Sequence, residues 1–244
     1  MDQSSPNHLL FIGLDDTDTL ESRGTGHLAR TVATALAADY QVLGVTRHQL
    51  LIDPRVPYTA KNSSAAILLR PNGCIDAEAL TTRVRALVCD QYSYGSDPGL
   101  CIASRVPPAI STFGRRVQQD VVTQADARAL AATHAIRLIG LGGNEDGVIG
   151  ALAAVGLAAT GDDGRYVMVG QSRALTGPCP IPAVLAAGVA DVRTLDGRRV
   201  THGLILTDKL RPARRDARPI AFVEPCPDPV PGEPVRYWRP LKLD

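Results

Sequence analysis

The chain has 244 residues, of which 45% are apolar and 21% are charged, a composition typical of a soluble globular protein. Its formal net charge of +1 excludes a uniformly basic nucleic-acid coat but is compatible with a local basic patch. Aromatic residues make up 4%, which is too few for a base-stacking platform of the single-strand-binding kind.

The cysteines and the hydropathy pattern predict where the protein resides. Five cysteines are scattered without any CxxC pair, so their spacing indicates neither a zinc site nor a disulfide framework. We expect a reducing, cytoplasmic location. The N-terminus has no basic start and only a short apolar run, and no other stretch is long and apolar enough for a bilayer, so we expect no signal peptide and no membrane partner.

Apolar patterning predicts an interleaved series of elements. The expected strands are Leu9–Leu14, Val42–Ile52, Ala65–Leu69, Leu100–Ser104, Ala135–Ile139 and Arg165–Val169. The expected helices are Gly26–Ala38, Ile75–Asp90, Gln118–His134 and Gly147–Ala159. This alternation favours an α+β fold that is α/β-like in its order, with a mixed sheet and flanking helices.

The composition changes after Gly170, where prolines become frequent and Asp196-Gly197 predicts a hairpin turn. Prolines and arginines crowd the segment Leu210–Pro219. We therefore predict a first domain over residues 8–165 and a smaller α+β region over 166–244, β-rich and ending in an extended tail.

A cluster of acids follows the first predicted strand. Asp15, Asp16 and Asp18 repel one another unless a positive charge lies between them. Mg²⁺ is held by one or two carboxylates plus phosphate oxygens, and the following Gly24-Thr25-Gly26 would let backbone N–H groups at a helix start face an anion. The stretch predicts a metal and phosphate site, with a turn in which Asp15 or Asp18 caps backbone amides as the structural alternative.

Two further stretches supply candidate phosphate-binding groups. One is the glycine-rich turn into the fourth predicted helix, where the candidates are Gly143, Asn144, Gly147 and Gly150. Tight packing of this helix against another helix would explain its glycines equally well. The other is the polar loop before Ala65–Leu69, where the candidates are Lys61, Asn62 and Ser63, with a solvated loop as the alternative. His27, at the first helix start, is a candidate for proton transfer or for accepting a phosphate, or a simple helix N-terminal donor.

These motifs, in this order, resemble a known family. GLDDTD, the RG turn into a helix, DPRVPYTAKNS and GVIGALAAVG are similar to the kinase-like part of archaeal agmatidine synthetase, which modifies a cytidine in the anticodon of an isoleucine tRNA. The resemblance covers roughly residues 9–170. It aligns the three aspartates with the family's acidic motif, Gly24 with its glycine turn, Pro57 and Tyr58 with its loop, and Gly147 and Gly150 with its glycine helix.

The resemblance implies a Mg²⁺-dependent, ATP-binding phosphotransferase or ATP-hydrolysing enzyme, followed by a ferredoxin-like domain. ATP and Mg²⁺ are the implied cofactors, a nucleotide is the implied partner, and tRNA and a second copy of the chain are candidate partners. The acceptor is not named by the sequence.

The chain departs from the family at two motifs. The family's phosphate-accepting threonine falls at or next to His27, and its KTRGN becomes Thr59-Ala60-Lys61-Asn62-Ser63. The family's OB-fold and zinc ribbon have no counterpart, so we expect a stand-alone homologue with a changed substrate.

Two other functions fit parts of the sequence. Asp16-Thr17-Asp18-Thr19 matches the DxDxT motif of haloacid-dehalogenase-type phosphatases, in which the first aspartate attacks phosphorus, although Lys61 and Lys209 lie in the wrong places for that mechanism. A non-catalytic nucleotide- or RNA-binding module is the second alternative. Its support is the basic run of Arg211, Arg214, Arg215 and Arg218.

Overall fold

A computed structural model describes residues 9–57, 61–74, 76–226 and 235–243. The chain divides into two compact units, one ending at Thr160 and the other beginning at Gly161. Within the described ranges, every helix is too short or too polar to cross a bilayer.

The first unit is built on an antiparallel sheet. Its described strands are β1 (Leu10–Asp15), β2 (Tyr40–Gln49), β3 (Ser63–Pro71), β4 (Gly99–Ala103) and β5 (Arg137–Gly140). They lie in the order β5-β4-β1-β3-β2, and each neighbouring pair is antiparallel.

Helices cover both faces of this sheet. They are α1 (Thr25–Leu36), α2 (Ala77–Cys89), α3 (Pro108–Gln119), α4 (Gln124–Thr133) and α5 (Gly147–Thr160). Alternate residues of a strand face opposite sides, and the whole of β1 before Asp15 is buried, so neither side of that strand is open to solvent. Helix α5 packs against β1, β3 and β4, whereas α1 packs against β2, β3 and α2.

Helix α5 is buried almost throughout because it lies between the sheet and α3. Its close approach depends on glycines. A Cβ added to Gly13 of β1 would lie 2.0 Å from the carbonyl oxygen of Ala151, and one added to Gly156 would lie 2.2 Å from the carbonyl oxygen of Ile110 in α3. Gly156 belongs to the glycine helix that the sequence left open between a ligand and tight packing, and it allows contact with α3, while Gly13 allows contact between β1 and α5.

The predicted elements of this unit are present, with one correction. The predicted single helix over Gln118–His134 is wrong, because two helices meet there and are separated at Asp120. The first is α3, which the sequence did not predict. The second is α4, which begins with a capping box between Thr123 and Asp126. Helix α3 ends at this point because the backbone of Asp120 is extended, with φ −133° and ψ 156°.

The second unit is β-rich. Its described strands are β6 (Arg165–Met168), β7 (Thr176–Pro180), β8 (Asp191–Arg193), β9 (Leu204–Asp208), β10 (Ala213–Arg215), β11 (Arg218–Pro225) and β12 (Tyr237–Pro240), with a short helix α6 (Ile181–Ala186). The strands β8 and β11 are parallel, as are β9 and β12, so this sheet is mixed. With α6 as the only α-helix among its described residues, the unit lacks the two helices of a ferredoxin-like domain. The predicted α+β class is confirmed, and the β-rich alternative is the one observed.

Candidate functional site

One edge of the first unit's sheet collects the chain segments that the sequence singled out. Asp15 at the end of β1 lies opposite Gly99 at the start of β4, which in turn lies opposite Gly140 at the end of β5. At the same edge, Gln49 ends β2 opposite Ser63, which begins β3. Loops that are far apart in sequence therefore meet around Asp15.

Asp15 lies beneath the first turns of α5. A Cβ added to Gly150 would lie 1.8 Å from the Asp15 Oδ2 atom, so only glycine leaves room for this carboxylate. Burial raises the pKa of Asp15 to about 8, and the negative charges of Asp16 and Asp18 act in the same direction.

Asp16 has a left-handed backbone with φ 49°, which is uncommon for a residue with a side chain and which aspartate and asparagine tolerate best. Burial raises its pKa to about 6, and the charges of Asp97 and Asp18 add to the effect, while a hydrogen bond from the Asp97 backbone opposes it. Burial therefore disfavours ionisation of both Asp15 and Asp16, two acids that are neighbours in the chain.

Asp18 organises the start of α1. Its Oδ1 atom accepts hydrogen bonds from the Thr25 backbone N–H at 3.1 Å and from the Thr25 hydroxyl at 2.7 Å. The Thr17 hydroxyl donates to the same Thr25 Oγ1 atom at 3.1 Å. The capping alternative raised from the sequence thus describes the contacts of Asp18.

Two more carboxylates lie at this edge, Asp97 just before β4 and Asp146 in the loop before α5. The Asn144 backbone N–H donates to the Asp97 Oδ1 atom at 2.8 Å, and the Asn144 side-chain amide donates to the Asp146 Oδ2 atom at 2.9 Å. Gln124 of α4 holds the same loop, because its Nε2 atom donates to the Asp146 Oδ1 atom and to the Asn144 carbonyl oxygen, both at 2.7 Å.

The backbone N–H groups that open α5 already have partners. Gly147 donates to the Asp97 carbonyl oxygen at 2.9 Å, and Val148 and Ile149 donate to the carbonyls of Glu145 and Asp146 at 3.1 Å. These N–H groups stabilise the loop before α5 through backbone hydrogen bonds, as in a structural turn.

A cleft of about 230 Å³ opens beside Asp15 and Asp16. Its polar lining also includes Arg55, Asn62 and Asp146. Its apolar lining is formed by Leu50, Leu51, Val56, Val117, Val121, Val122 and Ile149. An acidic end and an apolar wall in one cleft suit a ligand with a charged part and a flat or apolar part.

The structure gathers some of the predicted residues and separates others. Those that line the cleft are Asp15, Asp16, Asn62, Gly147 and Gly150. Those that lie outside its lining are Asp18, Gly24, Thr25, Gly26, Lys61, Ser63, Gly143 and Asn144. Lys61 is exposed, and Tyr58, Thr59 and Ala60 fall outside the described residues.

His27 lies between two arginines of its own helix region. Its Nε2 atom is 3.4 Å from the Arg23 Nη1 atom, and its Nδ1 atom is 3.2 Å from the Arg30 Nη2 atom. Guanidinium groups only donate, and a neutral imidazole has a single acceptor nitrogen, so at most one of these two contacts is a hydrogen bond accepted by the ring. Its role as a phosphate acceptor stays a prediction.

Three cleft or loop residues were missed from the sequence. Asp97 is a lone acid between serine and proline, and it meets Asp16 only because Gly99 pairs with Asp15. Arg55 stands in the quoted loop but was given no role; in the structure it forms an ion pair with Asp53 at 2.8 Å and lines the cleft. Asp120, also at the cleft, follows the unpredicted helix α3.

The acids of this edge can supply only part of the ligands of a metal ion. In the part of the chain that is described, no three His, Cys, Asp or Glu side chains form a group that could hold a metal by themselves. In those same residues neither the Asp15 nor the Asp16 carboxylate has a lysine or arginine partner, and burial opposes the charge of both. One or two carboxylates without a counter-charge fit Mg²⁺ when phosphate oxygens supply the other ligands.

Comparison with known proteins gives a likeness in structure only. No family model and no curated protein matches the chain. A tRNA fluorescent labeling enzyme matches with a TM-score of 0.53 and 23% identity over 61% of this chain. The complex of TiaS with an isoleucine tRNA and ATP matches with a TM-score of 0.54 and 22% identity over 62%.

A third match is TiaS, named as an isoleucine-tRNA agmatidine synthetase, in its apo form, with a TM-score of 0.51 and 22% identity over 61% of this chain. The chain spans about 36% of the length of the first two structures and 35% of the third. The resemblance predicted from the motifs is thereby confirmed at the level of the fold: the matched 61–62% of this chain has the fold of part of agmatidine synthetase.

Proposed function

We propose that the first unit binds ATP together with Mg²⁺ and uses it in an ATP-cleaving or phosphate-transferring reaction, in an enzyme related to tRNA-modifying agmatidine synthetase. The observation that carries this proposal is the pair of desolvated acids, Asp15 and Asp16, at one end of an apolar cleft without a basic partner among the described residues. The likeness in fold to a synthetase solved with tRNA and ATP adds support.

Asp15 and Asp16 are the residues that would hold Mg²⁺. When bound, the ion would neutralise charge on the phosphates and so favour their transfer or cleavage. Gly150 leaves the space that Asp15 needs, and the left-handed backbone of Asp16 turns the chain away from the strand.

The other groups of the cleft have separate roles. The apolar wall formed by Leu50, Val117 and Ile149 would exclude water from the ligand, while Arg55 at the rim would contact phosphate oxygens. Asp18 is placed to order the start of α1 through Thr25 and not to touch the reacting atoms.

The proposed reaction also needs an acceptor. One matched structure is a complex of TiaS with an isoleucine tRNA, AMPCPP and agmatine. We propose an RNA nucleotide as the acceptor class for this chain.

The test is ATP turnover with a trap for covalent intermediates. The protein is incubated with γ-labelled ATP and Mg²⁺, and in parallel with an aryl phosphate, and any labelled residue is mapped. Nucleotide-dependent turnover with no phosphoaspartate supports the proposal, with or without label at His27. A hydroxylamine-labile adduct at Asp16 formed from the aryl phosphate would assign the phosphatase chemistry instead, and ATP binding without any turnover would assign a binding module.

A further inference from the structure

The basic run in the second unit is not a continuous charged surface. Three of its four arginines bind their own domain. Arg214 is buried, donates to the Ala217 carbonyl oxygen at 3.1 Å and lies 5.8 Å from the Tyr166 ring centroid. Arg215 donates to the Arg214 carbonyl oxygen at 2.7 Å, and Arg218 donates to the Ala190 carbonyl oxygen at 3.4 Å.

Arg211, the fourth, is placed beside an arginine from another segment. The ladder between β7 and β9 ends with Thr176 opposite Asp208 and is extended by the Lys209 N–H, which donates to the Leu175 carbonyl oxygen at 3.1 Å. Just beyond this bond lie the 3₁₀ turn that contains Arg173 and the segment that contains Arg211. Burial lowers the pKa of Arg173, and the positive charge of Arg211 lowers it further, so the two guanidinium groups are close enough to repel.

No described acid compensates this pair. Within the described ranges neither Arg173 nor Arg211 forms a hydrogen bond or an ion pair through its side chain, and Asp208, the acid at the end of β9, is paired with neither. Both arginines are partly buried. Two like charges held together in a partly buried place cost free energy that a bound anion relieves.

We propose that Arg173 and Arg211, with the exposed Lys209 beside them, form a phosphate-binding site in the second unit. A guanidinium group presents paired N–H donors that match two phosphate oxygens, and two such groups can hold one phosphate from both sides. The ligand is a phosphate group, carried either by a polynucleotide backbone or by a free phosphate.

The test compares two probes on the full chain, inorganic phosphate and a short oligouridylate. Binding is followed by thermal shift for the first and by fluorescence anisotropy at several salt concentrations for the second. The variants are Arg173→Gln, Arg211→Gln and the charge-preserving Arg173→Lys. The matched control is Arg198→Gln, which removes one exposed positive charge from the same unit.

Each Gln variant should weaken binding about tenfold and lower the salt slope of oligouridylate binding by about one, since one charge-assisted contact is lost. Arg173→Lys should recover part of the loss, and Arg198→Gln should bind as the wild type does. Binding of both probes, or of one alone, identifies which source of phosphate the site takes. Equal binding by all variants, or no binding by the wild type, overturns the site.

Asp16→Asn separates this site from the cleft of the first unit. It should bind both probes like the wild type, whether or not the cleft binds ATP. When Mg²⁺ is present in the assay, loss of phosphate binding in Asp16→Asn would place the phosphate in the cleft and would also overturn the site.

Discussion

At the scale of single residues, the fold makes ionisation of the two acids at the end of β1 unfavourable. Asp15 and Asp16 both have raised pKa values, and the largest cause in each case is burial. Such a cost persists where function requires it, and a bound cation would remove it.

This cost predicts how stability depends on pH. The folded pKa of Asp15 is about 8, against an ordinary value near 3.8, so between these limits the folded state holds a proton that the unfolded state has lost. Stability of the metal-free protein should therefore fall as pH rises through this window toward 8. Asp15→Asn should reduce that fall by at least about 1 kcal/mol, the free energy of one pKa unit.

Urea unfolding at pH 5 and pH 8 in the presence of a chelator measures the effect. Asp90→Asn, at the exposed C-cap of α2, is the matched control and should leave the pH dependence unchanged. Equal pH dependence in the wild type and Asp15→Asn would contradict the raised pKa.

The sequence predicted part of this site because part of it is local. Asp15, Asp16 and Asp18 are adjacent in sequence, so a short motif was enough to find them. Asp97 comes to the same place only through the pairing of β1 with β4, and no short-range pattern carries that register. The direction of the Asp18 side chain could not be predicted from the sequence either, because its contact with Thr25 depends on the conformation of the turn between them.

At the scale of elements, the packing of α5 on β1 positions the site. Gly13→Ala should destabilise the protein by about 1–3 kcal/mol or more, because its Cβ would meet the Ala151 carbonyl oxygen at 2.0 Å in a backbone that cannot move far. Gly73→Ala is the control: its Cβ would have nothing within 4 Å, so its effect should stay within about 0.5 kcal/mol. Urea midpoints that are equal for the two variants would contradict this packing.

Helix α4 acts on the site through Gln124. Gln124→Ala removes the hydrogen bonds to Asp146 and to the Asn144 carbonyl, so the loop before α5 should loosen while the core stays packed. We expect Mg²⁺–ATP affinity to fall about tenfold, the equivalent of roughly 1.4 kcal/mol. Calorimetry with Gln119→Ala, an exposed residue that ends α3, provides the comparison; the same loss in both variants would rule out a specific role for Gln124.

Most elements of the first unit follow from periodicity, and the exception has a physical reason. Helix α3 begins at Pro108 directly after Pro107 and contains Gly114, residues that favour a loop in a local prediction. In the structure Pro108 stands where a helix tolerates proline, and Gly114 allows contact with Leu157 of α5. Ile110, Phe113 and Val117 nevertheless recur at helical spacing and are buried, so the amphipathic pattern of α3 is present in the sequence but is masked by the two prolines and the glycine.

At the scale of the whole molecule, the two units present side chains of opposite charge, and a different ligand is proposed for each. The first unit presents buried acids in a cleft, and the second presents a pair of arginines without a described acid partner. The proposal for the first rests on a metal between acids and phosphates, and the inference for the second rests on arginine and phosphate alone. Each is open to test without the other.

The central claim, that Asp15 and Asp16 bind ATP through Mg²⁺, is tested most directly by calorimetry of ATP binding with and without Mg²⁺. The wild type should bind in the micromolar to low millimolar range only when Mg²⁺ is present. Asp16→Asn should weaken that binding at least about tenfold while keeping the fold, because asparagine tolerates the left-handed backbone at this position. Asp90→Asn should bind as the wild type does. Binding that is independent of Mg²⁺ and unchanged in Asp16→Asn would contradict the claim.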